Sequence, residues 1–459
     1  MRHPFDAIVI GTGQAGPSLA ARLAKAGRKT AVIERHRFGG TCVNTGCIPT
    51  KTLVASARAI HMARRGAEFG FSVGGDVVVD LPRVRARKEE IVRRSNEGVE
   101  RWMKHTPGLT VFEGHGRFTG PRTVEVNGDV LEAGQIFINV GGRALVPDMP
   151  GIADVPVLTN TSLLALESLP EHLIVVGGSY IGLEFAQIYR RFGSRVTVVE
   201  KAERIIQRED TDVSSTLQAV LEAEGIEFRL SAACIDLAPA SGGVSVGVDC
   251  VQGAPAVAGS HVLLAVGRRP NTDDLGLQAA GVAADARGYI TVDDQCRTSV
   301  DGIWALGECN GRGAFTHTAY HDYEVVAANV LDGDPRRLSE RIPCYALYTD
   351  PPVGRVGMTM QEARASGRPV LVAYRPMTKV SRAREMGETQ GFMRALVDAE
   401  TRRLLGAVVF SAGGDEIVHA LIDVMYADAP YTAISRAVHV HPTISELIPT
   451  MLQELTQLE

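Results

Sequence analysis

Two stretches of this chain repeat one pattern of apolar and polar positions. Residues 8–34 read IVIGTGQAGPSLAARLAKAGRKTAVIE, and residues 174–200 read IVVGGSYIGLEFAQIYRRFGSRVTVVE. In both, a short unbroken apolar run stops at a glycine-rich turn, a stretch with helical apolar spacing follows, and a second apolar run ends on a carboxylate. An unbroken apolar run bounded by turn residues predicts a strand buried on both faces, and the spacing between the runs predicts an amphipathic helix. Gly11, Gly16, Gly27 and Glu34 coincide with Gly177, Gly182, Gly193 and Glu200 with no gap. The chain is therefore expected to contain two strand–helix–strand units of parallel sheets.

The turns carry chemistry. In Gly11-Thr12-Gly13-Gln14-Ala15-Gly16 the first glycine allows the tight turn, Gly13 lets the backbone approach a pyrophosphate, and Gly16 lets the helix pack on the strand. The helix N-terminus offers amide groups to the phosphate charge. Glu34 ends the second strand, where it can accept hydrogen bonds from ribose hydroxyls. In the second unit Gly177 and Gly182 keep the outer positions, Ser179 replaces the middle glycine, and Glu200 is the ribose acid. Serine still permits close approach, with less room. One such motif is weak evidence, but two in full strand–turn–helix–strand–acid context predict two dinucleotide-binding units.

Between and after the repeats, residues 136–142 (IFINVGG) and 262–268 (VLLAVGR) read as buried strands ending at glycine turns, with Gly141, Gly142 and Gly267 in the turns. The basic stretch 83–94 (RVRARKEEIVRR) reads as a solvated helix face. From about residue 341 the pattern changes to alternating strands, suggesting a further domain.

Composition narrows the function classes. With 48 basic and 53 acidic residues the net charge is −5, which gives no reason to expect nucleic acid or an anionic membrane as a partner. No apolar run approaches a membrane span, and the start lacks the basic-then-apolar layout of a signal peptide. Seven cysteines in 459 residues are sparse and odd in number, unlike a secreted disulfide framework. A reducing cytoplasm is the expected location, and a persistent disulfide there is more often catalytic than structural.

Cys42 and Cys47 stand out, five residues apart in Gly39-Gly40-Thr41-Cys42-Val43-Asn44-Thr45-Gly46-Cys47-Ile48-Pro49-Thr50-Lys51. On an irregular first helical turn their Cα atoms can come within disulfide range. A helix N-terminus and the nearby Lys51 favour the thiolate. Taken alone, the pair also suits two unrelated buried thiols or half a zinc site, although no second cysteine–histidine pair lies close in sequence to complete one. Near the C-terminus, His441 is followed five residues later by Glu446. A carboxylate can fix the imidazole tautomer and raise its basicity, as suits an acid/base acting on a thiol.

The segment GGTCVNTGCIPTK resembles the active-site signature of the class I pyridine-nucleotide–disulfide oxidoreductases, which include dihydrolipoyl dehydrogenase, glutathione reductase and mercuric reductase. The resemblance covers essentially the whole chain. It implies an α/β fold with two Rossmann-like domains, for FAD and NAD(P), and a C-terminal α+β dimerisation domain. The implied division is FAD domain 1–147 and 268–340, NAD(P) domain 148–267, and interface domain 341–459. It implies that Cys47 exchanges electrons with the flavin and Cys42 with substrate, and that Lys51 lies near flavin N5 paired with Glu184. HPT-x-S-E resembles the family's C-terminal signature, so His441 would be the acid/base and Glu446 its orienting acid, both acting in the partner subunit of a homodimer. The FAD site is expected to draw on Gly11, Gly13, Gly16, Glu34, Gly40, Thr41, Gly116, Gly141, Gly142, Gly307 and Glu308, with Glu308 where the family usually has aspartate. Phe315, Thr316 and His317 would start a helix facing the flavin pyrimidine. NAD(H) is expected on Gly177, Ser179, Gly182, Glu200 and Gly267, with Tyr180 as a gate over the flavin. Glu200 favours NADH because a carboxylate repels a 2′-phosphate, while Lys201 and Arg204 keep NADP(H) open.

GGSYIGLEFAQ, GRGAFTHTAY and YALYTDPP look closer to the mercuric-reductase-like and reactive-chlorine-resistance branch. No cysteine follows Cys344, so the C-terminal vicinal pair of authentic mercuric reductases is missing. Cys309, His317 and His321 cluster in sequence and could attract a soft metal, but the flavin-contact and surface reading of these residues is favoured and no metal ligand is assigned. The expected activity is NADH-driven reduction of a metal ion, disulfide or related small oxidant through Cys42–Cys47. The alternatives are dihydrolipoyl dehydrogenase and a redox-sensing flavoprotein read by a partner. Cys47→Ser should abolish substrate reduction yet leave FAD binding intact, measured as turnover against the flavin absorbance of the purified variant.

Overall fold

The computed structural model describes residues 1–233, 235–249 and 254–458, so Cys234 and Cys250 lie outside the described residues. Both repeats fold as their pattern predicts. The strand Arg2–Ile10, the helix Ala15–Lys25 and the strand Thr30–Glu34 form the first unit. The strand His172–Val176, the helix Tyr180–Phe192 and the strand Arg195–Val199 form the second. Ala7 to Ile10 and Leu173 to Val176 are buried on both faces, which is why neither strand alternates in polarity.

In the first sheet Leu109–Glu113, Thr30–Glu34, Arg2–Ile10 and Asp129–Ile138 run parallel, Thr123–Val126 adds antiparallel to Asp129–Ile138, and Arg117–Gly120 pairs antiparallel with Thr123–Val126 at the edge. The chain then leaves this sheet and returns much later, when Ile303–Ala305 pairs parallel to Asp129–Ile138. The excursion contains the second sheet, ordered Ile226–Arg229, Arg195–Val199, His172–Val176, His261–Leu264, Val157–Leu158, all parallel. A small antiparallel sheet of Ile235–Ala240, Gly243–Val248 and Ala256–Gly259 packs beside it. The C-terminal sheet is antiparallel, ordered Cys344–Leu347, Val353–Gly357, Leu404–Phe410, Phe392–Asp398, Val370–Pro376, Thr456–Gln457.

The two glycine turns have the same close contact. A Cβ on Gly16 would sit 2.2 Å from the Gly11 carbonyl oxygen, and one on Gly182 would sit 2.1 Å from that of Gly177. The basic stretch lies on the helix Leu81–His105, where Arg85, Arg93 and Arg94 pair with Glu89, Glu90 and Glu97 one turn away. Lys88 is the exception on that face: it is buried and donates to the Leu164 carbonyl at 2.6 Å.

The C-terminal domain is locked to the second dinucleotide unit by buried charge. Arg355, 2% exposed, reaches Glu209 through Nε at 3.2 Å and Asp210 at 3.2 Å. Arg394 reaches Asp210 and Asp212. Removing one partner of such a cluster leaves the opposite charge desolvated and uncompensated. Arg355→Met should therefore cost about 3–5 kcal/mol of unfolding free energy, read as a lowered midpoint in urea denaturation.

Candidate active site

A cavity of about 900 Å³ draws its walls from all three layers. From the first unit come Gly11, Gly13, Glu34, Gly40, Thr41, Gly116 and Gly141; from the returning segment come Gly307, Glu308, Phe315, Thr316 and His317. The second unit adds Tyr180 and Glu184, and the C-terminal sheet adds Ala346 and Tyr348. Gly16 and Gly142 lie behind the wall. Their role is spatial: a Cβ on Gly142 would come within 2.8 Å of the Glu308 carboxyl. At the glycine turn, Glu34 accepts from Thr12 N at 3.0 Å, Thr12 Oγ1 at 2.5 Å and His36 N at 2.9 Å.

These residues fit FAD. Gly13 and Gly40 bring backbone to the cavity surface with no side chain in the way; a Cβ on Gly40 would be 2.7 Å from the Gly13 Cα. Asn139, on the cavity wall, has a buried Nδ2 with no hydrogen-bond partner among the described residues. A buried donor left open at a cavity wall is what a polar ligand satisfies. Arg268, which the sequence reading missed, donates to Glu308 through Nη2 at 2.8 Å and to the Gly142 carbonyl at 2.7 Å. Its only sequence signal was its place right after Gly267.

Cys42 and Cys47 both line this cavity. They do not share one irregular helical turn. Cys42 lies in a short helix, Gly40–Asn44, and Cys47 opens the next, Cys47–Arg64. Gly46, whose backbone is neither helical nor extended, separates the two. Both thiols are free. The Cys47 Sγ lies 3.2 Å from the Thr316 hydroxyl. A hydrogen bond from Cys42, that hydroxyl and the Lys51 charge outweigh burial and bring the Cys47 thiol down to about 6. The same shared hydrogen bond, with burial, pushes the Cys42 thiol well up. The two opposite shifts bias the shared proton toward Cys42 and the thiolate toward Cys47.

Lys51 follows Cys47 by one helical turn, and its Nζ meets Glu184 Oε2 at 2.6 Å. Glu184 is buried, and its other oxygen accepts from Tyr348 N at 3.0 Å. The Lys51 ammonium also sits 4.4 Å from the Tyr348 ring centroid, a cation–π distance. Its charge is therefore fixed beside the sulfurs.

Phe315 precedes the helix Thr316–Ala327. Its ring stacks with His317 at 5.3 Å and Tyr345 at 5.7 Å, and Tyr180 leans on it at 5.6 Å. His317 Nε2 is bonded to the Cys344 carbonyl at 2.8 Å. Cys309 is fully buried with its Sγ on the Leu306 carbonyl at 3.3 Å, and burial pushes it up to about 12. His321 is pushed down to about 4 by burial and by Arg341 and Arg336. Among the described residues no three His, Cys, Asp or Glu side chains are placed to hold a metal ion.

Gly177, Ser179, Gly182, Glu200 and Gly267 lie off this cavity, around the second turn. Glu200 accepts from Gly178 N at 2.6 Å and Ala202 N at 2.9 Å, which aims it across the glycine turn as Glu34 is aimed. The Gly267 carbonyl accepts from Leu145 N at 3.0 Å. His441 and Glu446 also lie outside the cavity. His441 Nδ1 meets the Glu446 carboxylate at 2.9 Å while the imidazole is 76% exposed. Val438 and Val440 beside it are exposed as well.

Comparisons with known proteins agree with this geometry. Residues 5–322 match the pyridine nucleotide-disulphide oxidoreductase family, and residues 344–452 match its dimerisation domain. The chain is 36% identical over 455 residues to the probable pyridine nucleotide-disulfide oxidoreductase RclA of Escherichia coli, covering 97% of this chain and 98% of that one. It is 33% identical to dihydrolipoyl dehydrogenase of Cupriavidus necator, covering 98% and 97%. It is 30% identical to mercuric reductase of Bacillus cereus, covering 100% of this chain and 70% of that one. Its fold superposes on the HOCl-induced flavoprotein disulfide reductase RclA from Escherichia coli with a TM-score of 0.89 at 34% identity, covering 98% and 99% of the two chains. The Cu(II) complex of the same protein gives 0.89 at 34%, covering 98% and 100%. No helix among the described residues is long and apolar enough to cross a membrane. The chain belongs to the pyridine nucleotide-disulphide oxidoreductase family.

Proposed function

We propose that this chain is an NADH-dependent flavoprotein reductase that delivers electrons through Cys47 and then Cys42 to a metal ion or a disulfide. The observation that carries the reading is that both thiols line the same cavity as the Gly11–Gly16 turn, with their single proton biased onto Cys42. Bound FAD supplies the two-electron relay between nicotinamide and the sulfurs. Every other step falls to the chain itself.

Tyr180 covers the cavity on the side of the second dinucleotide unit and yields its place to the nicotinamide ring. Lys51, pinned by Glu184, keeps a positive charge beside Cys47 and steadies the thiolate. Cys42 faces the acceptor and must lose its proton to act. The partner subunit's His441 is the base for that step: Glu446 holds Nδ1, which leaves Nε2 to take the proton. The exposed imidazole of one copy and the cavity of the other make the homodimer the functional unit. With a disulfide acceptor, Cys42 attacks one sulfur and forms a mixed disulfide, and the leaving thiolate is protonated. Cys47 then attacks the Cys42 sulfur, releasing the second thiol and restoring Cys42–Cys47. With Cu(II), two ions each take one electron as the thiol–thiolate pair closes to the disulfide and its one proton leaves. Copper comes to mind for this chain because a similar structure is a Cu(II) complex.

NADH is the favoured donor. Glu200 occupies the ribose position, and the Arg204 guanidinium donates to the carbonyls of Glu209 at 2.6 Å and Gln207 at 2.9 Å, so it is engaged by its own loop rather than free for a 2′-phosphate. The kcat/KM for NADH should exceed that for NADPH by about tenfold or more, each carboxylate–phosphate repulsion of about 1.4 kcal/mol giving that factor. Initial rates with Cu(II), glutathione disulfide and lipoamide as acceptors test the reading, and failure of all three would sink it.

The thiol pair predicts its own pH dependence. The Cys47 thiolate is present above its midpoint and is lost as pH falls through about 6. Ultraviolet thiolate absorbance of the dithiol form should titrate there. Cys47→Ser should remove the transition, and Cys42→Ala should raise its midpoint, because the largest stabilising donor is gone.

A further inference from the structure

Tyr345 takes no part in the thiol chemistry and contributes no wall to the cavity, yet it joins the gate to buried charge. It sits on the strand Cys344–Leu347, directly across from Arg355 on Val353–Gly357. These neighbours converge on one carboxylate: the Tyr345 hydroxyl donates to Glu209 Oε1 at 2.5 Å, and Arg355 Nε donates to the same oxygen at 3.2 Å. Burial and the Glu209 charge raise the Tyr345 phenol, so it stays a donor. On its other side the Tyr345 ring lies nearly parallel to Phe315, at an interplanar angle of 7°, and Phe315 is the ring on which Tyr180 leans.

A second route runs from the same carboxylate to the same gate. Glu209 N donates to the Ile206 carbonyl at 2.8 Å, and Ile206 N donates to the Gly178 carbonyl at 2.9 Å. Gly178 is two residues before Tyr180, in the glycine turn of the second unit. Ile206 is a buried β-branched residue with φ of 39°, in the left-handed region that such residues avoid. Backbone strain of this kind persists only where the surroundings over-determine it. Here the Glu209 cluster on one side and the glycine turn on the other hold it.

We infer that Tyr345 is a positioning residue for hydride transfer: by tying Phe315 and the 206–209 loop to Glu209, it sets where Tyr180 rests and so where the nicotinamide ring lies when the gate opens. The inference builds on the reading of Tyr180 as the nicotinamide gate. It assigns to the C-terminal domain, which already clasps the second dinucleotide unit through Arg355 and Arg394, a part in the nicotinamide half of the cycle.

Tyr345→Phe is the test, because it keeps the ring on Phe315 and leaves Glu209 paired with Arg355, removing only the hydroxyl. In anaerobic stopped-flow on the holoenzyme, the limiting rate of flavin reduction by NADH should fall about tenfold with the NADH dissociation constant unchanged, as a small misplacement of reacting groups does. Reoxidation of the dithiol by Cu(II) should keep its rate. Hydrogen exchange should quicken at amides 177–182 and 204–209 and stay unchanged in the first sheet. In a Tyr180→Ala background the added Tyr345→Phe change should have no further effect. An unchanged reduction rate in Tyr345→Phe, an equal loss in both half-reactions, or exchange that rises throughout the chain would overturn the inference. Tyr180→Ala alone leaving reduction by NADH unaltered would instead overturn the gate reading beneath it.

Discussion

The ion pair between Lys51 and Glu184 is the contact on which the site depends. Lys51 lies on the helix that Cys47 opens, in the first dinucleotide unit, and Glu184 lies on the helix that Tyr180 opens, in the second. Their 2.6 Å contact holds the two helices together by their first turns, so that a thiol from one and the Tyr180 ring from the other reach the same cavity. The carboxylate is buried, and a buried charge tolerates little displacement from its partner. The backbone amide of Tyr348 occupies the remaining oxygen, which brings the C-terminal domain to the same point.

Around that contact the structure separates two kinds of chemistry. Acids that end strands, Glu34 and Glu200, are turned back over their own glycine turns by backbone amides. The sulfurs are treated unequally: Cys47, first residue of its helix and bonded to Thr316, is the better thiolate, while Cys42 keeps the proton. This inequality comes first from the hydrogen bond the two sulfurs share, and then from the distant Thr316 hydroxyl and the Lys51 charge. The His441–Glu446 pair lies outside that cavity, with the imidazole exposed beside Val438 and Val440. The matched dimerisation domain accounts for that arrangement by bringing in a second copy.

Much of this was legible before any coordinates. The two glycine turns, their acids, the cysteine pair and the lysine are local in sequence, and local spacing fixes them: a strand, a tight turn and a helix place such residues wherever the unit is found. Other features are non-local. Asn139 and Arg268 sit at the ends of strands that come back to the cavity from distant parts of the chain, and nothing in their neighbourhood marks them as lining it. Tyr345 lies on the strand Cys344–Leu347 and Tyr348 just past its end, and their contacts come from what that strand packs against. The split of the cysteines between a short helix and the long one after it was also hidden, because it turns on the backbone of Gly46 rather than on any side chain.

The sequence by itself determined the family, the two dinucleotide units and the cysteine pair with its neighbouring lysine, since each is a short motif or a repeat whose physics is contained within a few turns of chain. Only the tertiary structure decided which residues share a cavity, which sulfur is the better thiolate, and that the C-terminal sheet reaches the second dinucleotide unit through Glu209. Those depend on burial and on contacts between residues far apart in sequence, where the loss of solvent makes a single hydrogen bond or charge decisive, and no spacing along one chain encodes which distant groups will be desolvated together.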